Sequence, residues 1–112
     1  MPDVVVLNEF VTWYEELGET DRIPVTVAID LLEVRGVTLG SPQSSAIKGS
    51  RFPMRELRVQ SQGKPIRVLY CFDPRRQAVV ILGGHKTDDH FYERHVPRAE
   101  RLFQEYLDES DV

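Results

Sequence analysis

Three cationic side chains occupy positions from which they could hold a phosphate group together. Arg58 lies in a segment that alternates as a strand does, Arg67 begins the next such segment, and Lys86 follows a third one. Adjacent antiparallel strands are about 5 Å apart, so we expect the three cations to converge at one end of a sheet. Such a clamp would stabilise charge developing in phosphodiester cleavage, or would position a phosphate backbone in plain RNA binding. The residues alone leave both uses open.

Further candidates surround Lys86 in the chain. His85 and His90 could transfer protons near neutral pH, and Tyr92 could stack on an unpaired base or hydrogen-bond a phosphate oxygen. Each has a structural alternative, because surface histidines are commonly inert and a tyrosine can pack on a sheet. The grouping of His85, Asp89 and His90 lacks the usual metal-ligand spacing, so we do not expect a metal site there.

Charge is segregated along the chain. The net charge is −4, yet residues 48–86 carry nine basic residues against two acidic ones. Clustered Lys and Arg attract anions whatever the total charge, so this segment predicts an anionic ligand, with protection of a sheet edge as the alternative. The further candidates for RNA contact in and beside this segment are Lys48, Arg51, Arg55, Lys64, Arg76 and His90.

Periodicity and turn signals predict the elements that must position these residues. The predicted elements are a strand over 4–7, a helical hairpin over 8–36 with Asn8 as N-cap and Gly36 at its end, strands over 54–59, 66–72 and 77–82, and a final helix starting near Pro97. Gly83 and Gly84 are placed just after the last strand. The prediction is one α+β domain over residues 1–112, in the order β-α-α-β-β-β-α.

The sequence also limits where the protein works. No apolar run approaches the roughly 20 residues that span a bilayer, and residues 1–9 lack the basic and small-residue pattern of a signal peptide. We therefore expect a cytoplasmic protein without membrane contact. Cys71, the single cysteine, lies in an apolar strand and is expected to be an inert buried thiol.

Four blocks of residues resemble a known family. They are 51–58 (RFPMRELR), 67–76 (RVLYCFDPRR), 82–87 (LGGHKT) and 92–99 (YERHVPRA). In this order and spacing the blocks resemble the RelE/ParE superfamily, specifically its HigB-like, phage-derived branch. The blocks lie in the C-terminal half, and the helical hairpin fits the family by element order. The resemblance implies a fold in which an N-terminal strand and helical hairpin pack on a curved antiparallel sheet.

The resemblance implies the toxin of a type II toxin–antitoxin system, an endoribonuclease that cleaves mRNA, often on the ribosome, by attack of the RNA 2′-hydroxyl without a metal or cofactor. Arg67 matches the strand arginine that holds the phosphate, Lys86 the cation after the last strand, and Tyr92 an aromatic six residues further on. Arg58 is the basic residue of the preceding strand, whereas His85 stands where relatives vary. Relatives differ in the groups that act as acid and base, which leaves that assignment open.

The implied partners are a helix-turn-helix, HigA-like antitoxin, mRNA and the ribosome, with operator DNA reached through the antitoxin. Two alternatives remain: a weak or inactive member that serves as an antitoxin-binding or regulatory module, which the acidic composition would suit, and a ParE-like gyrase inhibitor.

Two further expectations concern single side chains. The aromatic stripe of the first helix predicts Trp13 as an anchor for the antitoxin, the alternative being that Trp13 packs the hairpin on the sheet. Replacement of Arg67 by Ala is expected to abolish growth inhibition with the fold intact.

Overall fold

The computed structural model describes residues 3–110 and confirms the α+β class, with a helical hairpin ahead of the main sheet strands. In chain order the elements are β1 Val4–Val6, α1 Asn8–Glu15, α2 Glu19–Arg35, a 3-10 turn Gly36–Thr38, β2 Ser44–Ala46, β3 Arg55–Ser61, β4 Lys64–Phe72, β5 Ala78–His85 and α3 Phe91–Ser110. None of the helices within this described part is both long and apolar enough to cross a membrane.

The five strands form one sheet in the order β1-β5-β4-β3-β2. Strands β2 to β5 pair antiparallel, as predicted for the meander, whereas β1 pairs parallel with β5. Strand β2 was not predicted, because Ser44-Ser45-Ala46 has neither an apolar alternation nor β-branched residues. Its pairing with residues 55–57 of β3 makes it a strand, so the order gains one element.

Both faces of the sheet are covered by helices. Along β4, Ile66, Val68 and Tyr70 face the α1–α2 hairpin, whereas Leu69 and Cys71 face α3. All five are fully buried, and burial of each aliphatic side chain contributes about 1.5–3 kcal/mol. A strand buried on both faces reads as an apolar run, which explains why little alternation is visible over 66–72.

The helix ends differ from the prediction in two places. Helix α1 begins at Asn8 with Leu7 in the N-cap position and no capping side-chain hydrogen bond, whereas α2 ends as predicted at Gly36, whose φ is 54°. Helix α3 begins at Phe91, so Pro97 lies inside it. Pro97 is on the exposed side, and the buried residues Phe91 and Ala99 show that packing continues across it.

Strand β5 does not end before the glycine pair but runs through it to His85. The ring of Trp13 lies on Gly83 so closely that a Cβ there would overlap its Cζ3. A Cβ on Gly84 would be 3.0 Å from Cε1 of Phe91. The two glycines therefore provide contact surfaces for α1 on one face and α3 on the other.

Replacement of Gly83 by Ala is expected to lower the free energy of unfolding by about 1–3 kcal/mol, since the added methyl group would overlap the Trp13 ring. Urea unfolding measures the effect. Gly40→Ala is the matched control, because no atom lies within 4 Å of its Cβ position, and its change is expected within about 0.5 kcal/mol. Equal stability of Gly83→Ala and the parent would contradict the packing argument.

Candidate active site

Two of the predicted cations lie side by side on adjacent strands. Arg58 of β3 and Arg67 of β4 are opposite each other in the antiparallel register, on the face that α3 covers. Arg58 is exposed, whereas Arg67 is 8% exposed. Both line an open groove of about 390 Å³, here called the cationic groove, whose other lining residues are Pro42, Gln43, Gln60 and Pro65. One cation is thus held by the fold and the other reaches solvent.

A carboxylate that the sequence analysis did not single out completes this group. Glu56 lies two residues before Arg58 on the same face of β3, and it is 6% exposed. Its Oε1 is 3.6 Å from Nε of Arg67 and accepts a 2.7 Å hydrogen bond from the hydroxyl of Tyr92. Glu56 therefore joins a strand arginine to the first turn of α3.

Within the described residues, not every N–H group of Arg67 has a hydrogen-bond partner. Nη1 donates to the carbonyl of Ile66 at 3.1 Å, whereas Nε has no hydrogen-bond partner there. At 3.6 Å the contact with Glu56 is an ion pair rather than a hydrogen bond. Arg67 consequently keeps the capacity to donate charge-assisted hydrogen bonds to an anion.

Tyr92 reaches Glu56 because Phe91, its neighbour, packs on Gly84 and fixes the start of α3. Burial, followed by the hydrogen bond to Glu56 and its negative charge, raises the pKa of Tyr92, while Arg67 acts in the opposite direction. The phenol therefore keeps its proton at neutral pH. Nζ of Lys86 lies 5.4 Å from the centre of the Tyr92 ring, within cation–π range, so Lys86 belongs to the same surface.

A second open groove, of about 500 Å³, adjoins this group and is here called the Tyr92 groove. Its lining residues are Ala46, Ile47, Lys48, Gly49, Glu56, Tyr92, Glu93, Val96, Pro97 and Glu100. The loop that carries Lys48 is tied to α3, because Ser50 Oγ and the Arg51 amide both donate to Glu100, at 2.7 and 2.8 Å. These hydrogen bonds, the amide's first, lower the pKa of Glu100.

The structure does not bring His85 to this group. Since β5 continues past the glycine pair, its alternation places His85 on the hairpin face, with Nε2 3.5 Å from Oδ2 of Asp21. The hydrogen bond from Ser61 to Asp21 is the main cause that lowers the pKa of Asp21, and His85 adds to it. His85 therefore lies apart from Arg67, Glu56 and Tyr92, and its catalytic role stays a prediction.

Two predicted RNA contacts are also displaced from the cationic groove. Arg55 lies on the hairpin face, where its Nε donates to Ser44 Oγ at 3.1 Å and to Tyr70 at 3.3 Å. Arg76 lies in the turn after β4, and the six residues from Arg67 to Phe72 alone extend about 17 Å. The strand pattern assigned neither the face of Arg55 nor the distance of Arg76.

The remaining predicted contacts lie on the surface. Arg51 stacks over Phe52, with 4.9 Å from Cζ to the ring centre, Lys64 is exposed at the start of β4, and His90 Nδ1 is 3.2 Å from Glu93. Trp13 is half-buried on Gly83, a packing that favours the structural alternative, and its role as an anchor stays a prediction. Residues 3–110 contain no group of three or more His, Cys, Asp and Glu suited to a metal ion.

Comparisons with known proteins agree with one another. Residues 12–104 match the family described as phage-derived protein Gp49-like. Two relatives from Mycobacterium tuberculosis (strain ATCC 25618 / H37Rv) carry the toxin names HigB3 and HigB2. The first is 38% identical over 107 residues, covering 93% of this chain and 92% of the relative. The second is 36% identical over 99 residues, covering 85% of this chain and 49% of the relative.

A solved structure supports the fold independently. A mutant of the E. coli toxin RelE in the free state superposes with a TM-score of 0.63 at 14% identity, covering 87% of this chain and 96% of that one. At this identity the likeness concerns the fold alone.

The buried pair generates a prediction on stability. Arg67→Met is expected to cost about 3–5 kcal/mol in the free energy of unfolding, because it leaves the Glu56 carboxylate buried without its cation. The second replacement Glu56→Gln removes that charge and is expected to restore part of the loss. A double-mutant cycle by denaturant unfolding measures the coupling, and strictly additive effects would contradict a direct ion pair.

Proposed function

The chain belongs to the Gp49-like family of phage-derived, HigB-like toxins in the RelE/ParE superfamily, and from this premise we propose that it cleaves mRNA as the toxin of a toxin–antitoxin pair. One observation carries the proposal: a cation, a buried carboxylate and a protonated phenol are in direct contact beside an open cationic groove. A cation that stabilises negative charge, a base and an acid are the groups that catalyse cleavage of a phosphodiester bond.

The proposed reaction is an internal transesterification of RNA. The 2′-oxygen forms a bond to the adjacent phosphorus, and the bond from that phosphorus to the 5′-oxygen of the next nucleotide breaks. The products carry a 2′,3′-cyclic phosphate and a 5′-hydroxyl. One proton leaves the 2′-hydroxyl and one proton joins the departing oxygen, so the step needs neither an oxidant nor an external nucleophile.

Arg58 and Arg67 are proposed to hold the phosphate, because they stand side by side and line the same groove. Negative charge builds on the non-bridging oxygens in the transition state, where guanidinium donors bind more strongly than in the ground state. The exposure of Arg58 lets it meet the RNA first, while the buried position of Arg67 fixes the geometry.

Glu56 is proposed as the base that accepts the proton of the 2′-hydroxyl, and Tyr92 as the acid that protonates the 5′-oxygen. The raised pKa of Tyr92 keeps its proton available at neutral pH. The 2.7 Å hydrogen bond between the two groups provides a path by which the proton taken up by Glu56 returns to Tyr92. The pair would thus be restored after each turnover.

The substrate proposed is single-stranded mRNA on the ribosome. Lys86 beside Tyr92 extends the positive surface from the cationic groove along the neighbouring nucleotides, and Lys48 adds a further cation in the Tyr92 groove, which Glu93 and Glu100 also line. An aromatic ring next to these cations suits an unstacked base. The partner proposed is a helix-turn-helix antitoxin of the HigA type, which would also supply any contact with operator DNA.

Arg58→Ala is expected to lower the rate of RNA cleavage about 10²–10³-fold at unchanged stability, because it removes an exposed phosphate donor. Cleavage of end-labelled mRNA, with and without ribosomes, measures this. Arg67→Lys tests the buried cation, because lysine keeps a positive charge beside Glu56. Arg67→Ala, which the sequence predicted would keep the fold intact, would instead leave the Glu56 carboxylate without its cation.

Arg76→Gln is the matched control, because it removes an arginine from the remote end of the sheet and is expected to keep parental activity. If the parent cleaves no mRNA while growth is inhibited and plasmid supercoiling falls, the molecule acts on gyrase and the proposal is wrong. If neither growth nor mRNA responds to induction, the chain is an inactive binding module.

Cleavage is expected to proceed unchanged in the presence of a chelator, since the proposed step uses side chains alone. The assay uses free mRNA without ribosomes, because ribosomes themselves need Mg²⁺, and it compares rates with excess chelator and with added Mg²⁺. Loss of activity with chelator and its return with a divalent ion would contradict the side-chain mechanism.

A further inference from the structure

The outer edge of β5 is only partly covered by β1. Strand β1 pairs with residues 78–80 of β5, and the amide of Leu7 donates to the carbonyl of Val80 at 3.0 Å before the chain enters α1. Strand β5 continues to His85. In the part of the chain that the structure describes, no strand pairs with this side of β5 beyond Val80, so its last residues form a free edge.

The pairing of β5 with β4 shows which backbone groups face this edge. The amide of Lys86 donates to the carbonyl of Pro65 at 2.9 Å, and Gly83 is opposite Val68. Pairs that exchange hydrogen bonds alternate along an antiparallel ladder with pairs that do not. Three positions from the pair of Lys86 and Pro65, Gly83 and Val68 therefore exchange none. Gly83 consequently directs its N–H and C=O away from β4, towards the free edge.

Gly83 thus presents a donor and an acceptor side by side. The residue is buried, and within residues 3–110 neither its N–H nor its C=O has a hydrogen-bond partner. Folded proteins pair nearly all such buried backbone groups. His85, the next residue that faces the edge, already accepts a 3.1 Å hydrogen bond from the amide of Thr87. Because both groups are available at a single residue, the edge suits a small molecule rather than an added strand.

Gly83 lies in the floor of an open groove of about 470 Å³, here called the α1–α3 groove. Leu82 and Gly84 complete the floor, one wall consists of α1 side chains between Asn8 and Glu16, and the other consists of His95 and Arg98 on α3. The volume is within the range of small-molecule sites. Because the two helices cover opposite faces of the sheet, a flat molecule in the plane of the sheet would place one edge on Gly83 and a face against each helix.

The walls add charged groups to this backbone pair. Glu9 and Glu16 are on α1, and Arg98 is on α3. Glu9 is half-buried and forms no ion pair within the described residues, whereas Glu16 is exposed. A hydrogen bond to a carboxylate is stronger than one to a neutral acceptor. The groove therefore favours a ligand that carries one acceptor and several N–H donors on the same edge.

We propose that the α1–α3 groove binds the guanine base of a free nucleoside. Guanine presents O6 as an acceptor next to two donors, N1–H and the 2-amino group. O6 accepts from the N–H of Gly83, N1–H donates to the C=O of Gly83, and the amino group donates to the carboxylate of Glu9. The guanidinium of Arg98 provides a planar surface for one face of the base. This site is separate from the proposed mRNA cleavage and does not depend on it.

The same groups disfavour other occupants. Adenine has an acceptor and a donor that Gly83 could bind, but it has a C–H where guanine has the 2-amino group, so Glu9 would lack a donor. The phosphates of RNA would lie near two carboxylates and one cation, a net repulsion. A free nucleoside carries no charge and avoids that repulsion.

Isothermal titration calorimetry of the full chain with guanosine tests the proposal. Guanosine is expected to bind saturably. Inosine is the matched control ligand, because it lacks only the 2-amino group, and it is expected to bind at least about ten-fold more weakly. Adenosine is expected to bind at least about ten-fold more weakly as well. 1-Methylguanosine is expected not to bind, because its methyl group replaces the N1–H that the carbonyl of Gly83 accepts.

Two variants assign the carboxylate. Glu9→Ala is expected to weaken guanosine binding at least about ten-fold and to leave inosine binding unchanged, because inosine has no amino group to lose its partner. Glu15→Ala is the matched control, since Glu15 is exposed on the same helix outside the groove lining, and it is expected to bind guanosine as the parent does. Thermal unfolding checks that both variants fold.

The inference is overturned if guanosine does not bind, if inosine or adenosine binds equally well, or if folded Glu9→Ala binds guanosine as tightly as the parent. Tighter binding of the RNA trinucleotide UGU than of guanosine would overturn the assignment to a free nucleoside. All titrations are made without mRNA, so their failure is distinct from failure of the proposed function. Cleavage of mRNA by a chain that binds no guanosine would remove this site alone.

Discussion

The pairing register of β3 and β4 determines both the core and the site. It sets Leu57 opposite Val68 on the hairpin face and Arg58 opposite Arg67 on the α3 face. A slip of one residue would exchange the two faces and bury the arginines against the hairpin. The register is fixed by the tight turn at Gln62 and Gly63, whose φ values of 53° and 78° follow directly after β3. The packing of the hairpin on one face therefore determines which polar side chains lie together on the opposite face.

Much of this arrangement could be predicted because it follows from local signals. The turn between β3 and β4 is visible in the sequence, so Arg58 and Arg67 could be placed side by side. Glu56 was missed although the same register sets it diagonally from Arg67, because a carboxylate on a polar strand face is usually solvated. Its burial depends on Tyr92, which is 36 positions away in the chain, and no local pattern encodes that contact.

The misplaced residues share a physical cause. The side of the sheet on which His85 lies depends on whether β5 ends at the glycine pair, and this depends on Trp13 and Phe91 packing on those glycines. Glycine is a turn signal in a sequence, yet here it is the surface on which two rings rest. The same limit applies to α3, where Pro97 suggested a beginning and packing carried the helix through it. Tertiary contact overrode local propensity in both places.

The contact between Trp13 and Gly83 has a spectroscopic consequence. Trp13 is the single tryptophan of the chain, and its ring centre is 6.5 Å from that of His85, two residues after Gly83 on the same face of β5. Its emission therefore originates from one location, the seam between α1 and β5, with an imidazole in quenching range. A shift in the emission of Trp13 reports separation of that seam, and quenching by the His85 imidazole reports an intact one. The fluorescence of Trp13 thus reports whether the hairpin is packed on the sheet.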